Sequence, residues 1–258
     1  LEAVLSEIFT TPDIDAIVIT GEGAAFDIDL PLAERQLGQA SPSLDVLTTL
    51  ISHAPMPVVA ALRGRITDAG LELALAAQAR VIHHASRVCL PSLQLGQLPS
   101  AAAIYTLTTT LGPRYSIKLL ETLSDIPVSQ PRLAPLFDKI VVQNVVGEAA
   151  ELARSLHVTP KKRTPALADP IRYQAEINAI RQERPNPTVA SAQKEAALAA
   201  LEAVQLLPKS AALRFAGIQN EDLQQTHLSR SQTYRRAAKL ASLRGHPNTH
   251  APAGLTLV

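Results

Sequence analysis

The sequence predicts an α/β fold in which helices pack on a largely parallel sheet. Two observations predict it. Short apolar runs rich in β-branched residues recur at 15–21 (DAIVITG), 57–64 (PVVAALRG) and 79–90 (ARVIHHASRVCL), the signature of buried strands. Between and after them lie stretches dominated by alanine and leucine, which favour helix. Strands alternating with helices imply helices laid over a parallel sheet.

Taken in order, 15–21 and 57–64 are strands, and 67–79 is a loop turning directly into a helix. Residues 79–90 are one or two strands. Pro99 fits a helix start and Gly112 a helix end, so 99–112 is one helix and RYSIKLLETL (114–123) another. DKIVVQNVV (138–146) is a further strand and GEAAELARSL (147–156) a helix. After Pro160 the texture changes to a proline-rich, charged connection. The rest is helical. Leu198, Leu201 and Val204 share one face and predict packing against the core. A long polar-faced helix over 221–245 is stopped by Gly245 and Pro247. The tail is loop, ending in the apolar, β-like AGLTLV. Both ends of the chain have the look of fragment boundaries.

Composition excludes several classes. The 258 residues carry a formal charge of +1 without a long basic run, which argues against nucleic acid. Aromatics are 3% and tryptophan is absent, so stacking platforms for bases are not expected. No apolar stretch nears the roughly 20 residues that span a bilayer. The lone cysteine, Cys89, rules out an internal disulfide, fits a reducing compartment such as the cytoplasm, and reads as an inert buried thiol. His83 and His84 face opposite sides of a strand and read as structural. No dinucleotide fingerprint, P-loop or metal-ligand spacing is present.

The stretch MPVVAALRGRITDAGLELALAAQARVIHHASRVCLPSLQLGQLPSAAAIYTLTTTLG (56–112), with DAIVITGEGAAF before it and IPVS and LFDKIV after it, resembles the core of the enoyl-CoA hydratase/isomerase (crotonase) superfamily. The segment RPNPTVASAQKEAALAALEAVQLLPKSAALRFAGIQNEDLQQTHLSRSQTYRR resembles the linker helices of multifunctional β-oxidation enzymes. The resemblance implies a crotonase-type ββα spiral over 1–160, a C-terminal helical extension over 161–245, and a tail over 246–258. In those enzymes such a tail leads into a dehydrogenase half. It implies no cofactor beyond coenzyme A as part of an acyl-CoA substrate, and no metal. The family forms trimers or hexamers, but linker helices replace a partner subunit, which tilts the expectation to a monomer.

The resemblance also carries a chemistry. Two backbone N–H groups stabilise the negative charge that develops on a thioester oxygen, and two glutamates manage water and protons. Glu72 matches the first glutamate. It has an alternative reading as a first-turn residue that suits the helix dipole. The second position holds Ser92, whose hydroxyl could hold a water but not take its proton unaided. The implied N–H donors are those of Ile28 and Ala69, and the implied substrate-contacting residues are Phe26, Gly70, Pro91 and Pro99. Three departures weaken the match. The first loop, AAFDIDL, is about two residues shorter than the family's. The glycine triplet has become Asp68–Ala69–Gly70, with a negative charge where negative charge must develop. The P-G-x-G-G stretch has become Pro99–Ser100–Ala101–Ala102–Ala103, whose methyl groups crowd a close backbone approach. Asp27, Asp29 and Asp68 read as solvated or capping groups, with replacement of the lost glutamate by Asp29 or Asp68 as a sharper alternative. The expected function is acyl-CoA binding in fatty-acid β-oxidation with hydratase/isomerase activity weakened or lost. The rival is a non-catalytic module attached to, or assembled with, a 3-hydroxyacyl-CoA dehydrogenase half.

Overall fold

A computed structural model describes residues 1–23, 25–26, 44–90, 92–94, 97–156, 167–183, 191–223 and 255–257, with only the backbone for Asp68, Ser191 and 255–257. The chain enters with helix α1 (Glu2–Ile8) and strands β1 (Ile17–Gly21) and β2 (Ala25–Phe26), followed by α2 (Leu44–Ser52). Then β3 (Val58–Leu62) and β4 (Arg65–Thr67) lead into α3 (Asp68–Ala76). Next, β5 (Ala79–His83) and β6 (Arg87–Cys89) precede α4 (Ala101–Glu121). After β7 (Ile126–Pro127) and β8 (Lys139–Val141), α5 (Val145–Ser155), α6 (Pro170–Gln182) and α7 (Ser191–Leu206) complete the next stretch. Residues 209–223 are helical and form α8, and β9 (Leu255–Leu257) is the last element described.

Each winding of the chain gives one strand to each of two sheets. The first sheet runs β8-β5-β3-β1-β9, and the second β2-β4-β6-β7. Pairs β1–β3, β3–β5 and β5–β8 are parallel, as are β2–β4 and β4–β6. Lys139 and Ile140 of edge strand β8 in the first sheet are exposed, whereas β1, β3 and β5 are buried over most of their length, which is why they read as apolar runs. Alternation then sorts their side chains. Val58, Ala60 and Leu62 enter the main core with α3, α4 and α7, whereas Val59 and Ala61 meet Val145, Ala149 and Ala153 of α5.

Two glycines are fixed by geometry. A Cβ on Gly21 would lie 2.4 Å from the Ala25 carbonyl oxygen, so the β1–β2 turn admits no side chain there. Gly112, at φ 77° and ψ 171°, breaks α4 into two helical segments immediately before Pro113. The expected helix end at Gly112 is therefore a kink between two segments stacked as one element.

Three boundaries differ from expectation. The strand expected over 138–146 ends at Val141, because Asn144 adopts a left-handed conformation and its side chain accepts from the Gly147 N–H, starting α5 at Val145. α3 stops at Ala76 rather than Ala79, since Gln78 already donates its N–H to the Val58 carbonyl at the foot of β3. The tail is not wholly loop. Leu255–Leu257 pairs antiparallel with β1, covering that sheet edge. Helices α1 and α2 are additions to the expected elements, and Leu44, Leu47 and Ile51 of α2 do recur at helical spacing, with Leu47 and Ile51 buried. Of the helix expected over 221–245, residues 221–223 belong to α8 and the remainder lies outside the described residues.

The appendage is fastened by side chains as well as by burial. Leu198 and Leu201 are each 1% exposed, on the face the sequence indicated. The Tyr173 hydroxyl donates to the Leu201 carbonyl at 2.6 Å, tying α6 to α7. Arg181 reaches Glu195 at 3.0 Å and Glu202 at 2.8 Å, and Lys194 meets Glu121 of α4 at 3.4 Å. The hydrogen bond from Arg181 holds the Glu202 carboxyl below its ordinary range, against the opposing effect of its partial burial.

Leu201→Ala is expected to destabilise the whole chain by about 2–5 kcal/mol, the usual range for an unfilled leucine cavity, read as a lower urea midpoint. Glu202 contributes stability that is present above the ordinary glutamate value of about 4.3 and lost as pH falls through its lower folded value. The gap between the parent and Glu202→Gln, about 0.2–1 kcal/mol at neutral pH, should therefore close in acid. A gap that widens in acid would contradict the sign.

Candidate active site

Glu72 sits in the second turn of α3 and is fully buried. β4 delivers the chain directly into this helix, with Thr67 as the extended N-cap residue. The C-terminal end of the helix is held by Arg80 of β5. Its guanidinium donates through Nη1 to the Ala77 carbonyl at 2.8 Å and through Nε to the Leu136 carbonyl at 2.5 Å. The same guanidinium lies 3.5 Å from Asp138, whose carboxylate also accepts the Arg80 N–H. Burial pushes the Arg80 guanidinium below its ordinary pKa, and Asp138 opposes that shift. The element carrying Glu72 is therefore held at its start by direct continuation from β4 and at its end by the Arg80 side chain.

The carboxylate faces the start of the next long helix. Glu72 Oε2 accepts the Ser100 N–H at 2.5 Å. Ser100 is the N-cap of α4, and its hydroxyl accepts the Ala103 N–H at 3.4 Å. The Ser100 N–H precedes the helix and has no place in its hydrogen-bond ladder, and the amino end of a helix favours negative charge. An anion and an otherwise unpaired donor thus satisfy one another in the interior. The reading of Glu72 as a first-turn residue of its own helix does not hold: it lies in the second turn of α3, and its carboxyl meets the amino end of α4 instead.

Ser100 belongs to a short segment that also holds Ser92. Ser92 is 2% exposed, and its Oγ is buried without a hydrogen-bond partner. Its carbonyl accepts the Gln97 N–H at 2.9 Å, closing the turn. Gln97 is 5% exposed, and its Nε2 is likewise buried and unpartnered. Two unsatisfied buried polar atoms on one turn are costly, about 1–3 kcal/mol each, unless water or a ligand meets them.

Other sequence-indicated residues fall in different surroundings. Ala69 is buried in the first turn of α3, where helix geometry gives its N–H no partner within the helix. Gly70 comes next on the same turn. Phe26 is buried in the main core, in register with Ile66 of β4. Pro99 is buried directly before Ser100. Ile28, Pro91, Asp27 and Asp29 lie outside the described residues, as does the side chain of Asp68. Ala103 is buried in the first turn of α4, with Ala101 and Ala102 half-buried beside it. Cys89 is a buried free thiol, near the Thr122 and Leu123 carbonyls. His83 binds the Val142 carbonyl through Nε2 at 2.8 Å, and its ring lies 4.5 Å from that of His84, tilted by 47°; the two do not face opposite sides of a strand as expected, because β5 ends at His83. Among the described residues no cluster of His, Cys, Asp or Glu could hold a metal ion, and no helix is long and apolar enough to cross a membrane.

Sequence reasoning passed over Ser100, Gln97 and Arg80. Ser100 had a signal, a serine before an alanine run opening a helix. Gln97 had a weaker one, a polar side chain between apolar neighbours. Arg80 had none, since its value lies in carbonyls of two separate segments, the end of α3 and Leu136.

The spiral of paired parallel sheets, with a buried acid near a helix amino end, defines a crotonase-fold protein. An enoyl-CoA hydratase from Bacillus anthracis shares this fold, with a TM-score of 0.53 and 19% identity over 92% of this chain and 84% of its own. A family model described as enoyl-CoA hydratase/isomerase matches residues 1–198. The chain belongs to the enoyl-CoA hydratase/isomerase family. It is 30% identical over 142 residues to a peroxisomal bifunctional enzyme from Danio rerio, covering 55% of this chain and 20% of that protein. It is 31% identical over 151 residues to a peroxisomal fatty acid beta-oxidation multifunctional protein from Arabidopsis thaliana, covering 55% of this chain and 21% of that one. The chain thus spans about a fifth of the length of these relatives, and it is related to enzymes of fatty-acid β-oxidation.

Glu72→Leu should leave the Ser100 N–H buried without its acceptor. Glu72→Gln keeps an amide oxygen in the same place. The leucine variant is expected to be less stable than the glutamine variant by about 1–3 kcal/mol in urea denaturation. Equal stabilities would show that the bond to Ser100 carries no weight.

Proposed function

We propose that the chain binds an acyl-CoA thioester, with Glu72 as the one proton-shuttling side chain of the site and hydratase/isomerase activity weakened or lost. What supports this best is a buried Glu72 oriented by the Ser100 backbone, together with a buried hydroxyl, Ser92, at the position where the family resemblance implies a second carboxylate. A serine hydroxyl has no useful basicity near neutral pH, so concerted two-carboxylate activation of water is unavailable. One carboxylate can still remove a proton from one carbon and return it to another, so double-bond isomerisation survives the loss better than hydration. The N–H groups of Ala69 and Ile28 are the proposed donors to the thioester oxygen. Coenzyme A enters as part of the substrate, and the reading needs no other cofactor.

A second reading is favoured by the relatives, which are named bifunctional and multifunctional and are about five times longer than the matched span. In it the chain is a non-catalytic crotonase-fold module, attached to or assembled with a 3-hydroxyacyl-CoA dehydrogenase half. The packed helical appendage suits either reading, and both keep a monomeric unit. Both also keep a reducing setting such as the cytoplasm, though these two relatives are named peroxisomal.

Isothermal titration with crotonyl-CoA, followed by hydratase and isomerase assays, separates the two. The first reading expects binding and weak turnover, a further fall of about 10²–10⁴ in Glu72→Gln, and a gain in hydration for Ser92→Glu. Binding without any turnover, in parent and Ser92→Glu alike, leaves the module reading. Absence of binding removes the acyl-CoA ligand.

A further inference from the structure

The buried stripe of α8 contains one residue that does not belong to an apolar interface. Ala212, Ala216, Asn220 and Leu223 are the buried positions of residues 209–223, and three of the four are apolar. Their spacing of four, four and three is that of a single helix face. Asn220 is 9% exposed, and its Oδ1 accepts the Leu98 N–H at 3.4 Å. Leu98 lies two residues before Ser100, whose own N–H holds the Glu72 carboxylate.

We propose that Asn220 of the C-terminal appendage is a positioning residue for Glu72, acting through the segment Leu98–Pro99–Ser100. The proposal rests on the reading of Glu72 as the proton-shuttling group. The connecting segment is suited to the task. Pro99 has a fixed φ and restricts Leu98 to extended backbone, so a constraint at the Leu98 N–H reaches the Ser100 N–H with little slack. On the far side of Leu98, the Gln97 N–H is tied to the Ser92 carbonyl at 2.9 Å. The segment is thus held from the loop at one end and from α8 in the middle, and it presents a donor to Glu72 at the other end. An apolar residue at 220 would complete the helix stripe but leave the Leu98 N–H buried and unpaired. The appendage, by this reasoning, helps set the aim of the carboxylate from outside the core.

The test compares the isotope-labelled full chain with Asn220→Leu and Asn220→Asp by NMR and by steady-state kinetics on crotonyl-CoA. The Ser100 amide proton and the Glu72 carboxyl carbon report the bond directly. The leucine variant is expected to move both resonances and to lower kcat by roughly 10–100-fold with little change in KM, since small misplacements of a reacting group cost rates of this order. The aspartate variant, which keeps an oxygen acceptor for the Leu98 N–H, should return both resonances and kcat towards the parent. A folded leucine variant with both resonances at their parent positions overturns the proposal. Should that variant fail to fold, Asn220→Ala extends the alanine stripe and is read by the same two resonances. A parent without turnover counts against the catalytic reading of Glu72 alone, and the resonances still decide whether Asn220 positions it.

Discussion

The site depends on one hydrogen bond, from the Ser100 N–H to the buried carboxylate of Glu72. A carboxylate removed from water is several kcal/mol unfavourable unless donors replace the lost hydration. Here a backbone donor does so at the amino end of α4, where the local field also favours an anion. The bond joins α3 to α4, two helices on successive turns of the spiral. Arg80 fixes the other end of α3 through the Ala77 carbonyl, so the carboxylate is carried on an element restrained at both ends. A structural role and a chemical role for Glu72 are therefore compatible, because the donor that makes burial tolerable also fixes the direction of the oxygen.

The architecture explains how residues so far apart in sequence meet. Each winding leaves the first sheet, crosses to the second and returns through a helix, so equivalent connections stack beside one another. Glu72 and Ser100 are 28 residues apart and occupy corresponding places on adjacent windings. The stacking is tight because both faces of the first sheet are covered, one by the main core and the other by α5. Its edge at β1 is paired with β9, which leaves fewer unpaired backbone groups open to other chains.

Much of this was legible in the chain. The strands at 17–21, 58–62 and 79–83 were visible as β-branched runs because burial on both faces removes polar residues from them. The stripe Leu198, Leu201 and Val204 was visible because helical spacing is regular. The end of β8 was not, since valines recur past Val141 at 142, 145 and 146, and the left-handed turn at Asn144 separates the strand from α5. The site was legible as positions rather than as contacts. Glu72 could be picked out from the motif it matches, and Ser92 from the motif it interrupts. That Glu72 would bond to Ser100, or that a buried asparagine 122 residues from Leu98 would reach its N–H, depends on how two distant segments pack, and no local pattern encodes that.

On the proposed reading, a serine at 92 changes what the site asks of Glu72. Two carboxylates serving one substrate would raise each other's proton affinity by mutual repulsion and divide acid and base work between them. On that reading, with a neutral hydroxyl at 92, the repulsion is gone and Glu72 works without it. On the proposed reading, a proton leaving one carbon has to return from the same side chain, and a water can be held but not deprotonated by its neighbour. The buried, unpartnered Ser92 Oγ and Gln97 Nε2 then act as neutral hydrogen-bonding groups. They suit a polar atom that is oriented in place, and they lend the reaction no charge.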